Sequence, residues 1–495
     1  MATVGTETKL LARHSSVYAL GTMLQRLSAI LLLPIYTTYL SPTDYGVNEL
    51  VGLAVNVIGI LVATAIASAI FRFYFDYDDP RQRNAVMSTA VLTLGAVGLV
   101  ALAVFLPLAG VLADLILDDV GLAHFFMIAL GSLWFHTVNN VAFAWLRANQ
   151  KSLQFVGVSL TSFVVTVGLN IYFIKWLQLG VLGILLSTLI VSVLLFLVLT
   201  VPLFLRIGLR FDRSILGAMW TFGWPGIFGQ FGGFVVHVSD RLFLKAYCSI
   251  AETGIYSLGY RFGTLPSQFI SEPFNQTWMP RRFEIAKEPG SEDIFGRIFT
   301  YYLCLISFAG LLVAGLTADI LRLIADSRYW AAASVVPVIV LANIIFTFHY
   351  HFNIGLLLTK KTKQLAAINV LNAVFVLGLN WLLIPRYAIM GAAAATLIAF
   401  VAKAAMTFFL GRRYYRTRFE GWRAVKLLVV SAAVFLAAQR LHLDPPLLAL
   451  AVKGVIITVA YPLLLVALRF FTSDERARAR SLLHGRLGRR RRASG

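Results

Sequence analysis

The chain has 495 residues, of which 59% are hydrophobic and only 13% are charged. A soluble domain carries about 25% charged residues, so this composition excludes an ordinary soluble enzyme and a disordered chain. A helix that spans a bilayer needs roughly 20 apolar residues, so the apolar content suffices for about fourteen such helices. The sequence therefore predicts an all-α polytopic membrane protein with short loops.

Hydropathy breaks at short polar or Gly/Pro-containing stretches and divides the chain into predicted membrane spans. These stretches are short, and none that separates two spans exceeds about 15 residues. The sequence thus leaves no room for an extramembrane catalytic domain. The fourteen predicted spans lie near 16–40, 47–75, 85–107, 121–147, 152–174, 180–205, 214–246, 252–280, 294–321, 331–358, 364–384, 388–411, 424–440 and 446–470.

The net charge of +20 arises from 43 basic and 23 acidic residues. In a soluble protein this excess would suggest a nucleic-acid partner. Here 32 basic residues fall on the side of the N-terminus, six on the opposite side and five inside spans. The positive-inside rule then predicts that both termini are cytoplasmic. We interpret the basic tail as an anchor to anionic lipid, and we expect no nucleic-acid partner.

Motifs for catalysis or metal binding are missing from the sequence. Cys248 and Cys304 both lie in apolar stretches and fit no disulfide or metal framework. His349 and His351 are two residues apart, on different faces of a helix, so a metal pair is not expected. The first apolar stretch is longer than the apolar core of a signal peptide, so no cleaved signal is expected. We predict a protein that is not an enzyme and needs neither a cofactor nor a metal.

The chain contains an internal repeat. Residues 39–50 (YLSPTDYGVNEL) align with 247–258 (YCSIAETGIYSL) at an offset of 208, and Gly-Leu-Asn recurs at 168–170 and 378–380. Each repeat would hold six spans, an even number, so both copies face the same way, an arrangement suited to alternating access. The predicted units are two six-helix bundles at 1–205 and 206–411, two extra helices at 412–471 and a basic cytoplasmic tail at 472–495.

Polar residues within the eighth predicted span form a stripe. Arg261, Gln268, Glu272 and Asn275 are separated by 7, 4 and 3 residues, which places all four on one face of a regular helix. Ionisable residues at membrane depth usually face a cavity or a partner. We therefore predict that this stripe lines water or the bundle interior, and Arg261 is a candidate for substrate contact.

Two other spans carry deep polar residues. Gln25 and Arg26 lie near the middle of the first span, where Arg26 is either a functional group or half of a buried structural pair. The seventh span carries Gln230, His237 and Arg241 at spacings of 7 and 4, with Arg241 next to Asp240. Asp240 and Arg241 could form an interfacial ion pair that orients the helix, and His237 is a candidate proton carrier.

Five stretches together resemble the Wzx-type polysaccharide flippases of the multidrug/oligosaccharidyl-lipid/polysaccharide (MOP) exporter superfamily. Three lie in and just after the first span, at 16–26 (SVYALGTMLQR), 33–36 (LPIY) and 40–46 (LSPTDYG). The other two are 240–244 (DRLFL) and 254–258 (GIYSL), in the seventh and eighth spans. The resemblance covers at least spans 1, 2, 7 and 8, and the predicted number of spans fits the rest.

The resemblance implies a flippase of the bacterial inner membrane. It would move an oligosaccharide on undecaprenyl diphosphate from the inner to the outer leaflet, and polysaccharide polymerase or export machinery would be a further partner. The diphosphate needs a cationic path, and arginine is well suited to bind phosphate. The candidate substrate-binding residues are Arg26, Arg261, Arg241, Gln25, Gln268 and Gln230, and the candidates for ion coupling are Glu272, Asp240 and His237.

Three alternatives remain open from the sequence. The protein could be a multidrug exporter or a peptidoglycan-precursor exporter of the same superfamily, since both share the predicted architecture. A membrane polysaccharide polymerase or ligase is a third alternative. Such enzymes usually hold their catalytic groups on a sizeable outer loop, and the predicted loops are too short for one.

Overall fold

A computed structural model describes residues 31–441, 443–473 and 475–476. These residues form helices joined by short turns, without a β-strand. In chain order the helices are α1 Leu33–Tyr39, α2 Pro42–Asp76, α3 Pro80–Phe105, α4 Ala109–Leu117, α5 Ala123–Ala148, α6 Ser152–Asn170, α7 Val181–Leu195, α8 Val201–Ile207, α9 Arg213–Tyr247, α10 Ile250–Pro266, α11 Glu272–Ile285, α12 Ser291–Ile324, α13 Ala332–Thr347, α14 His349–Phe352, α15 Ile354–Leu358, α16 Thr362–Arg412, α17 Gly421–Gln439 and α18 Pro446–Ala467.

The helices match the predicted spans closely. Within the described residues, ten helical stretches are long and apolar enough to cross a membrane. The longest, α16, breaks at Ala388, whose φ of 46° is not helical, and so supplies both the eleventh and the twelfth span. Helix α9 and the stretch 250–285 occupy the seventh and eighth. The all-α polytopic fold is therefore confirmed, although most of the first predicted span lies outside the described residues.

Local sequence signals explain where two of the long helices begin. Ser41 and Asp44 form a reciprocal capping box at the start of α2, and Pro42 occupies its first turn. At α9, Asp212 accepts hydrogen bonds from the Ser214 hydroxyl, at 2.6 Å, and from the backbone N–H groups of Ser214 and Ile215. These hydrogen bonds lower the pKa of Asp212 below its ordinary value, and the bond from the Ser214 hydroxyl has the largest effect. Both helices thus begin after N-cap residues that can be recognised in the sequence.

The two copies of the repeated motif pack directly on one another. A Cβ added at Gly46 would collide with the carbonyl oxygen of Ile250, and one added at Gly254 would collide with that of Pro42. Gly254 and Ile250 are the 208-residue equivalents of Gly46 and Pro42, so each copy makes the same contact with the other. Such reciprocity is what a two-fold relation between the motifs requires. Both glycines are needed because the backbones touch.

The chain divides by packing into two units. The first comprises the described part of Met1–Ser257 together with Ile324–Tyr329 and Ala373–Ala392. The second comprises Leu258–Leu323, Trp330–Asn372 and the described part of Ala393–Gly495. The boundaries predicted from the repeat, at 205, 411 and 471, stay a prediction.

Each unit has its own buried apolar core. In the first unit, a cluster around Met87, Val141 and Met219 joins α2, α3, α5 and α9. Helices α2 and α9 also approach closely, since a Cβ on Gly223 would collide with the carbonyl oxygen of Ala65. In the second unit, Trp278 packs with residues of α12 and α15.

Candidate substrate site

A cleft lined by both polar and apolar side chains, which we call the polar cleft, lies within the first unit. It has a volume of about 710 Å³ and is bordered by α2, α5 and α7, with Gln230 contributed by α9. Deep polar groups in an apolar helical protein usually face water or a ligand, so this cleft is a candidate substrate site. Its polar lining residues are Asn48, Glu49, Asn56, Thr64, Ser132, His136, Thr137, Asn140, Thr188 and Gln230.

The α5 wall of the cleft carries a regular polar stripe. Ser132, His136 and Asn140 recur every four residues and therefore share one helix face. The side-chain amide nitrogen of Asn140 lies 3.3 Å from Nδ1 of His136, within hydrogen-bond distance. His136 and Asn140 are both exposed, as residues facing an open cleft should be.

The sequence analysis identified only Gln230 among the lining residues. The α5 stripe could have been found from its spacing of four, and Glu49 and Asn56, seven residues apart, share a face of α2 in the same way. These stripes are rich in amides and hydroxyls and contain no arginine, the residue type on which the sequence prediction of a phosphate site depends. The described part of the lining includes no lysine or arginine.

Arg241 lies in a buried polar network instead. Its guanidinium donates to Oδ1 of Asp240, at 2.7 Å, and to the carbonyl oxygen of His237, at 2.7 Å. Tyr256 donates its hydroxyl to Oδ2 of Asp240, at 2.6 Å, and its ring lies 5.3 Å from the guanidinium carbon. Arg241 is only 6% exposed and Asp240 only 3%. The structure thus shows Asp240 and Arg241 as the ion pair that the sequence offered as an alternative, next to the backbone carbonyl of His237.

In the second unit, the predicted stripe of Arg261, Gln268 and Glu272 is interrupted. A π-helical turn at Ser267–Ser271 lies between α10 and α11, so the regular angular spacing does not continue through it. Gln268 donates its side-chain amide to the Thr264 hydroxyl, at 3.1 Å. Arg261 and Gln268 are half-buried, whereas Glu272 is exposed. Such turns often occur at functional sites.

Gln25 and Arg26 lie outside the described residues. Their predicted role therefore stays a prediction, as do the roles of Arg261, Arg241 and the other candidates in substrate binding or ion coupling. In the part of the chain that the structure describes, no group of three His, Cys, Asp or Glu side chains could hold a metal ion.

Sequence reasoning missed one buried ion pair in the second unit. Lys453 of α18 donates to Oδ2 of Asp319 in α12, at 2.7 Å, and the two residues are 5% and 2% exposed. Lys453 is recognisable as a basic residue within a span. Its partner is 134 residues away, and nothing in the local pattern identifies it.

The repeated asparagines, in contrast, join equivalent pairs of predicted spans. Asn170 accepts a hydrogen bond from the Tyr36 hydroxyl, at 2.9 Å, which links spans 5 and 1. Asn380 donates to the Ser239 hydroxyl, at 3.1 Å, which links spans 11 and 7. Both asparagines are fully buried. Interhelical hydrogen bonding, one expected role for polar residues in membrane helices, is thus observed in both copies.

A family model described as "Polysaccharide biosynthesis protein" matches residues 37–291, slightly more than half of the chain. The chain belongs to this polysaccharide biosynthesis protein family. The match includes both copies of the repeated motif and the whole described lining of the cleft. Among curated proteins, none matches the sequence.

Solved structures with the same fold are transporters and flippases. The lipid II flippase MurJ, in an inward closed conformation, has a TM-score of 0.70 at 12% identity over 92% of this chain and 98% of its own. An inward-facing multidrug resistance MATE transporter of the MOP superfamily has a TM-score of 0.63 at 16% identity, over 82% and 96%. A MATE transporter from Vibrio cholerae has a TM-score of 0.56 at 15% identity, over 84% and 99%.

These comparisons confirm that this member of the polysaccharide biosynthesis family has the fold of the MOP exporter superfamily, as its sequence resemblance indicated. The protein is a multi-pass membrane protein. At these low identities the structural neighbours establish the fold alone.

Proposed function

We propose that the protein is a flippase that moves an oligosaccharide on undecaprenyl diphosphate from the inner to the outer leaflet of a bacterial inner membrane. The observation that carries this proposal is the polar cleft in a member of the polysaccharide biosynthesis family. Its walls present amides, hydroxyls, one imidazole and the Glu49 carboxylate, which can exchange hydrogen bonds with sugar hydroxyls. Transport would proceed by alternating access, with no chemical change to the substrate.

The cleft suits the glycan better than the diphosphate. Since its described lining includes no lysine or arginine, the anionic part of the substrate would need cations from elsewhere. Arg26 and Arg261, with Gln25 and Gln268, remain our candidates for this role. Arg241 would contribute only if its ion pair with Asp240 opened.

Our candidates for coupling transport to an ion remain Glu272, Asp240 and His237.

Complementation of a flippase-null strain tests the cleft and the arginines separately. We expect Asn140→Leu and Arg261→Ala each to reduce surface polysaccharide at unchanged protein levels and to leave lipid-linked oligosaccharide in the inner leaflet. Asn149→Leu is the matched control, because Asn149 is exposed at the end of the same helix and lies outside the cleft. Full function of both Asn140→Leu and Arg261→Ala would refute the proposed site.

The same deletion strain separates the alternatives. Lethal loss of cell-wall synthesis would indicate a peptidoglycan-precursor flippase, the activity named for MurJ. Drug sensitivity with normal surface glycan would indicate a multidrug exporter, as named for the MATE transporters. Polymerisation or ligation of lipid-linked oligosaccharide by the purified protein would indicate an enzyme. Our proposal requires loss of surface polysaccharide and an accumulated inner-leaflet precursor.

A further inference from the structure

An apolar groove lies in the first unit, separate from the polar cleft. It has a volume of about 580 Å³ and runs between α6 and α7, with Leu146 at the end of α5 closing one side. Its lining includes Gly157 and Val158 of α6 and Val191 and Leu195 of α7, and nothing lies within 4 Å of a Cβ added at Gly157. At membrane depth, a groove with such a lining fits a hydrocarbon chain.

Two cations gather at one end of this groove. Lys151, which precedes α6, has its Nζ 4.4 Å from the ring centroid of Trp145, and Arg206, at the end of α8, has its guanidinium carbon 5.3 Å from the same ring. Trp145 adjoins Leu146, and Gln154, one turn beyond Lys151, lines the groove itself. Lys151 and Trp145 therefore lie within one helical turn of residues that line the groove.

Carboxylates of the described residues do not neutralise the charge at this end of the groove. Among the described residues, no carboxylate forms an ion pair with Lys151 or Arg206. Arg206 is exposed and Lys151 is half-buried. A tryptophan flanked by cations at the end of membrane helices is typical of the headgroup level of a bilayer. The arrangement offers a phosphate two charges next to an apolar channel.

We propose that this groove is a binding site for an anionic phospholipid of the cytoplasmic leaflet. One acyl chain occupies the space between α6 and α7, and the phosphate sits between Lys151 and Arg206. The leaflet follows from the predicted topology, in which this end of α6 is cytoplasmic. The volume is in the range of pockets that hold a single small ligand, which favours an acyl chain over a much longer polyprenyl chain.

Binding of defined lipids to the full-length protein in detergent tests the charge. Native mass spectrometry compares phosphatidylglycerol with phosphatidylcholine of identical chains. We expect wild-type protein to prefer phosphatidylglycerol, and the double variant Lys151→Ala/Arg206→Ala to bind it roughly 25-fold more weakly, about fivefold for each cation. Lys175→Ala is the matched control, since Lys175 is an exposed cation at the opposite end of the same span, and it should bind like wild type.

A second pair of variants tests the groove itself. Gly157→Leu would fill the groove and should abolish the preference for phosphatidylglycerol. Gly168→Leu should keep it, because Gly168 lies in open space on the same helix but outside the groove. Thermal unfolding without added lipid verifies that both variants fold. Equal binding of the two lipids by wild type, unchanged binding in Gly157→Leu, or displacement of phosphatidylglycerol by equimolar undecaprenyl phosphate would each overturn the proposal.

Discussion

Two buried ion pairs, one in each unit, have the same length but different consequences. Asp240 and Arg241 are neighbours in one helix, whereas Asp319 and Lys453 are 134 residues apart, on α12 and α18. Both pairs have an N···O distance of 2.7 Å. The first can form within a single helix and fixes which way its side chains point. The second exists only when two distant helices have packed, so it links α18 to α12.

The surroundings of the two acids differ as well. Asp240 also accepts the Tyr256 hydroxyl and the backbone N–H of Arg241, so it keeps two hydrogen bonds if the guanidinium is removed. Among the described residues, the hydrogen-bond donor to the Asp319 carboxylate is the ammonium of Lys453. A buried charge without a partner is costly, so the long-range pair should be the more sensitive to mutation.

The largest effect is expected from Lys453→Met. It leaves the Asp319 carboxylate buried without its ammonium, which should lower the free energy of unfolding by about 3–5 kcal/mol. The measurement is thermal or denaturant unfolding of the purified protein in detergent.

The double variant Asp319→Leu/Lys453→Met is the control for that prediction. It removes both charges and fills similar space, so it should recover most of the lost stability. A double variant as unstable as the single one would show that shape rather than charge holds α12 against α18.

Arg241→Met should be less destabilising, by about 1.5–3 kcal/mol, because Asp240 keeps its other donors. Tyr256→Phe removes one of those donors and should cost less again, about 1 kcal/mol. The same unfolding measurement applies. If Arg241→Met proves more damaging than Lys453→Met, the contrast between the local and the long-range pair is wrong.

Gly46→Ala tests the backbone contact between the two motif copies. The added methyl group would press on the carbonyl of Ile250 and should cost about 1–3 kcal/mol. Gly52→Ala is the matched control on the same helix, where nothing lies within 4 Å of the new Cβ. That control should be neutral or stabilising by up to about 1 kcal/mol. Similar melting temperatures for both variants would contradict the close contact.

The sequence predicted where the helices lie far better than it predicted which helices pack together. The spans follow from hydropathy, which is a local property, and even the break at Ala388 coincides with the predicted start of the twelfth span. The partner of Lys453 and the cleft around His136 depend on which helices pack together, and one sequence does not encode this locally. The stripe at Arg261 was predicted on regular helical geometry, and the π-helical turn at Ser267–Ser271 changes that geometry.

The smallest effect concerns the repeated asparagines, which compare the two copies of the repeat directly. Asn170→Ala removes the acceptor of the buried Tyr36 hydroxyl, so it should cost about 0.6 kcal/mol or slightly more, the usual size of a hydrogen bond between membrane helices. Asn380→Ala removes one hydrogen bond to Ser239, but it also removes a carbonyl oxygen that has no hydrogen-bond partner among the described residues. Its net cost should therefore be near zero. Unfolding curves of the two variants, measured side by side, decide the point: a larger loss in Asn380→Ala would mean that the second copy, rather than the first, depends on this bond.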